Sequence, residues 1–155
     1  MDIFLEIEQS GIGTWIRESP SLLGYPTFLF LHTVGLGLLV GTSVTIDLRI
    51  LGFGRATALP AMEKFYSVLM LGFWISFVSG AALWIADAAT WSKDIVFYIK
   101  MAFIVLGMLS ARLIRSRVLR DPALLPGNGR MLAIASLVLW LGAITAGRLT
   151  AYIGK

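Results

Sequence analysis

The 155-residue chain has no cysteine, one histidine, and few charges, 14% of its residues against 57% hydrophobic ones. Each shortage excludes something. Without cysteine there is no disulfide, thiolate zinc site, cysteine-held iron–sulfur cluster or covalently attached haem. With a single histidine and only two carboxylates near it in the expected layout, no His/carboxylate metal cluster can form. A soluble domain carries roughly 25% charged residues. Here too little polar surface exists to cover a soluble fold of this size. The zinc-protease HExxH, the nucleophile-elbow GxSxG and a glycine-rich phosphate loop with its lysine are all missing. Enzymatic activity of the chain by itself is therefore not expected.

What is present is four long apolar runs. They predict an all-α integral membrane protein, a four-helix bundle with spans at about 26–51, 62–88, 93–115 and 131–153. Each has the roughly 20 residues that a hydrocarbon core requires. Residues 1–24 recur in apolar type near helical spacing (Ile3, Phe4, Ile7, Ile12, Trp15, Ile16), with Glu6, Glu8, Arg17 and Glu18 between them. They read as a short N-terminal interfacial amphipathic helix, or two, broken near Gly11 and Gly13. The whole is one membrane domain. The first 20 residues include Asp2, Glu6 and Glu8 and lack a basic region before an apolar core, so no signal peptide is expected.

Orientation follows from lysine and arginine. The loops after spans one and three, with their flanks, hold Arg49, Arg55, Lys64, Arg112, Arg115, Arg117, Arg120 and Arg130, eight in all. The other side has five, Arg17, Lys93, Lys100, Arg148 and Lys155. The basic loops are expected in the cytoplasm, with both termini outside, periplasmic in a bacterial inner membrane. Trp15, Tyr25, Trp84, Trp91, Tyr98 and Tyr152 would form an outer aromatic belt. The run Arg112, Arg115, Arg117, Arg120 suits anionic lipids at the inner leaflet, or serves only as a topology determinant. The net charge of +4 is thus a matter of loops rather than nucleic-acid binding. Asp47 near the inner end of span one is expected to pair with Arg112 or Lys64. Gly37 and Gly41, the series Gly72, Ser76, Gly80, and Ala143 with Gly147 offer close helix approach, within the monomer or across a dimer.

Every span places an ionisable group in the outer half: His32, Asp87, Lys100 and Arg148. Such groups normally face the interior and pair. They predict an outward-opening pocket with Trp84 and Tyr152 nearby. The alternatives are that Lys100 and Arg148 snorkel to headgroups, that His32 makes only a structural hydrogen bond, and that Asp87 is only a cap. As ligands, His32 could be the axial metal ligand of a b-type haem, with Met101, Met108 or a second copy's histidine, while Lys100 and Arg148 neutralise propionates. A quinone asks only for His32 with Tyr152 or Lys100. The expected role is a redox-associated accessory subunit. The alternatives are a scaffold packing in a larger membrane complex or homo-oligomer, and a small transporter or sensor. No inverted repeat favours transport.

Three segments carry a resemblance: Leu31-His32-Thr33-Val34-Gly35-Leu36-Gly37 leading to Asp47-Leu48-Arg49, then Lys100, then Gly147-Arg148-Leu149-Thr150-Ala151-Tyr152. Over residues 14–153 the chain resembles a family of small bacterial four-helix membrane proteins classed as a domain of unknown function. The resemblance implies the four-span fold. Many members have a second histidine late in span three. This chain has Ser110-Ala111-Arg112 there, which weighs against haem.

Overall fold

The computed structural model describes residues 3–54, 56–121 and 125–153. Arg55 and Lys155, counted for orientation, and Asp2 lie outside the described residues. Among those residues the chain is helical, without strands. Two short helices, α1 (Ile3–Glu8) and α2 (Gly11–Glu18), precede α3 (Tyr25–Leu51). A 3-10 turn at Leu59–Met62 leads into α4 (Glu63–Ala86), and α5 (Ala88–Trp91) follows after a break at Asp87. Then come α6 (Ile95–Leu113), continued by a π turn at Ile114–Val118, and α7 (Arg130–Ile153).

Local chemistry sets these bounds. Pro26 stands in the first turn of α3, where a missing N–H costs nothing. Gly52 ends α3 at φ 108°, a left-handed position, and the Phe53 N–H closes the cap on Leu48 O at 3.0 Å. The Asp94 carboxylate caps α6 by accepting from Val96 N–H at 2.8 Å. The second span ends at Ala86 rather than 88, because Asp87 turns the chain at φ −147°, ψ 45°. The N-terminal break falls at Gln9 and Ser10, just ahead of Gly11. Ser10 caps α2 by accepting from Gly13 N–H at 3.2 Å.

Four helices are long and apolar enough to cross a bilayer. At 1.5 Å per residue, the 27 residues of α3 extend about 40 Å. Their outward faces carry exposed Leu71, Phe77, Val78, Val105, Leu141 and others. That much apolar exterior is the arrangement of a protein solvated by lipid. Sequential helices pair, α3 with α4 and α6 with α7, and α3 packs on α7 to join the hairpins. Two apolar clusters fill the bundle. One, at the arginine-rich end, holds Ile46, Ile50, Met62, Ile114 and Val118. The other, at mid-depth, packs Leu39, Leu69, Ala111 and Ala143 around Trp140.

The closest helix contact is α3 on α4. A Cβ at Gly35 would lie 2.7 Å from Ser76 N, and one at Gly72 would lie 2.5 Å from Leu39 N, so both positions require glycine for this approach. Gly37 and Gly41, by contrast, meet nothing within 4 Å. The expected intramolecular role falls to Gly35 instead, two residues away.

Candidate functional site

The end of the bundle that carries the termini holds His32 and Lys100. His32 sits on α3, half-buried. Gly80 of α4 makes room for its ring: a Cβ there would lie 2.9 Å from His32 Cε1. The His32 Nδ1 is 3.0 Å from Ser76 O and 3.3 Å from Ser79 Oγ. Ser79 Oγ already donates to Ile75 O at 2.5 Å. A carbonyl oxygen only accepts, so Nδ1–H donates to Ser76 O, and this bond assigns the tautomer. The lone pair is then on Nε2, for which no described residue is a partner. An imidazole held through Nδ1–H to a backbone carbonyl is oriented for a ligand at its other nitrogen.

Lys100 lies on α6, in the other hairpin. It is half-buried, its stem running over α7 where a Cβ at Gly147 would lie 3.8 Å from Lys100 Cδ and Cε. No described residue forms an ion pair with it. His32 and Lys100 thus stand on opposite hairpins, an imidazole with an open nitrogen and a half-buried cation.

The other expected pocket residues lie on α7 and at the end of α4. Arg148 is exposed, and Tyr152 is 78% exposed, both on the outer surface of α7. Trp84 and Asp87 lie at the end of α4 under the N-terminal helices. The Phe4 ring meets Trp84 edge-on at 6.3 Å. The Asp87 backbone makes the turn from α4 into α5, and its carboxylate meets no described partner.

Two sets of contacts were not legible in the sequence. The first is a clasp. The Arg17 guanidinium donates to Ala86 O, the last carbonyl of α4, at 3.0 Å, and Glu8 accepts from Ala89 N–H at the start of α5 at 2.9 Å. Arg17 and Glu8 also pair with each other at 3.4 Å. Together they satisfy backbone groups that the break at Asp87 leaves unpaired. Their partners are backbone atoms, which carry no sequence signal.

The second group lies deeper. Asp47 is fully buried, and neither carboxylate oxygen has a hydrogen-bond partner. It does not pair with Arg112 or Lys64, both of which are exposed. It faces Ser136 of α7, whose hydroxyl also lacks a partner of bonding geometry, as does the Trp140 indole N–H one turn further on. Arg115 instead pairs with Glu63 at 3.1 Å and lies 4.3 Å over the Tyr66 ring. No group of three or more His, Cys, Asp or Glu among the described residues could hold a metal ion. Comparison of the chain with family models, with curated proteins and with solved structures finds no match.

Proposed function

We propose that this membrane protein binds a quinone headgroup at His32 and Lys100, and that it acts as a redox-associated accessory subunit rather than as an enzyme by itself. The observation that carries the reading is the fixed tautomer of His32. Among the described residues its Nε2 has no hydrogen-bond partner, and Lys100, half-buried like His32, stands on the other hairpin. A quinol hydroxyl can donate to such a nitrogen, and an ammonium can donate to a quinone carbonyl. Apolar surroundings strengthen both bonds.

A haem held within one chain fits less well. It takes a second axial ligand. Met101 is exposed, and Met108 packs against the cluster around Trp140. The charge asymmetry supports a placement in a bacterial inner membrane, with the arginine-rich end in the cytoplasm and both termini in the periplasm. The chain also reads as a member of the four-helix family of unknown function, on its His-to-Asp-Leu-Arg and Gly-Arg-x-x-Ala-Tyr segments.

The experiment is solvent extraction of the purified protein followed by mass analysis. Quinone is expected in the wild-type extract and several-fold less in His32→Ala and Lys100→Met. An empty wild-type extract, or equal quinone in all three, sinks the reading. A Soret band lost in His32→Ala would replace quinone by haem. Stoichiometric co-purification of larger subunits with no ligand would favour a scaffold.

A further inference from the structure

At the arginine-rich end, remote from His32, a crevice of about 330 Å³ opens between the end of α6 and the start of α7. Its walls are almost wholly apolar and include Leu113, Val118, Leu132 and Ala135; its polar members are Arg117 and Asn128. The volume is at the small end of the range for ligand sites. The π turn at Ile114–Val118 and the turn at Leu125–Gly129 form its two sides. Met131 on the rim is 69% exposed and Leu113 is 40% exposed. They continue into the exposed Leu106, Leu109 and Ile134, the lipid-facing side of the same two helices. The crevice is therefore open to the acyl-chain region.

The charges around it are mostly basic, with Asp121 following directly on Arg120. Arg112, Arg117, Arg120 and Arg130 are all exposed, and none makes an ion pair among the described residues. Arg115 alone of the cluster is neutralised, by Glu63. An apolar slot with a guanidinium in its lining calls for an amphiphile with an anionic head. The guanidinium offers paired N–H groups that match a phosphodiester, and basic pockets at helix ends are where such headgroups are held.

We infer that this crevice is a binding site for one anionic phospholipid, with an acyl chain against Leu113, Val118, Leu132 and Ala135 and the phosphate on Arg117. The site does not depend on the quinone reading, since it lies at the opposite end of the bundle.

The test is native mass spectrometry of the detergent-purified protein titrated with dioleoylphosphatidylglycerol or dioleoylphosphatidylcholine. One phosphatidylglycerol should be retained in preference to phosphatidylcholine by about tenfold. Arg117→Gln should bring the two lipids close to parity. Met131→Trp, which closes the rim at an exposed position, should reduce retention of both. Arg112→Gln, in the same cluster but outside the crevice, should leave the preference intact. Equal retention of the two lipids by the wild type overturns the site. So does an equal loss in Arg112→Gln and Arg117→Gln, the mark of diffuse surface charge. Both arginines are exposed, so these variants decide the matter even if Met131→Trp fails to fold.

Discussion

At the residue scale, two polar side chains of α3 with opposite circumstances define the protein. His32 has one nitrogen satisfied by Ser76 O and the other without a described partner, the condition of a ligand group. Asp47 has neither oxygen satisfied, although it is fully buried. An unpaired buried charge costs far more than a neutral isostere. Asp47→Asn keeps the shape and removes that charge. The variant should match or exceed the wild type in thermal stability, read as the melting midpoint in detergent. A clear drop would mean that Asp47 holds a partner, such as an ordered water shared with Ser136 and Trp140.

At the element scale, the α3–α4 pair is set by glycines on one face. Gly35 and Gly72 let the backbones meet, and Gly80 makes room for the imidazole that bonds to Ser76 O one turn away. Gly35→Ala should force the helices apart and cost about 1–3 kcal/mol, as overpacking does. Gly37→Ala, with open space around it, should cost nothing and gain a little from helix propensity. Unfolding titrations in sodium dodecyl sulfate would rank the two, and equal effects would contradict the packing. The sequence shows glycines at both registers, Gly35 and Gly37. Only the azimuth of α3 against α4 tells which face meets a helix and which meets lipid.

At the scale of the whole molecule, an even number of spans puts both termini on one side, and arginine decides which side. The absence of cysteine makes this directly testable. Ser21→Cys and Arg117→Cys, both at exposed positions, should label from opposite faces of intact cells with a membrane-impermeant maleimide, Ser21→Cys from outside. Labelling of both from one side would break the four-span topology. Labelling of Arg117→Cys alone from outside would reverse it.

The sequence determined the four apolar helices and the grouping of arginine at alternate loops, because length and hydropathy are properties of one segment at a time. It also marked His32 and Lys100 as costly groups at similar depth. Which groups meet was decided by tertiary structure alone. Arg148 and Tyr152 are exposed on α7, and Asp47 lies by Ser136 rather than a nearby arginine. The clasp of Glu8 and Arg17 rests on backbone atoms freed by a break in α4. Helix rotation and backbone geometry belong to no single segment, so they arise only once the helices are packed.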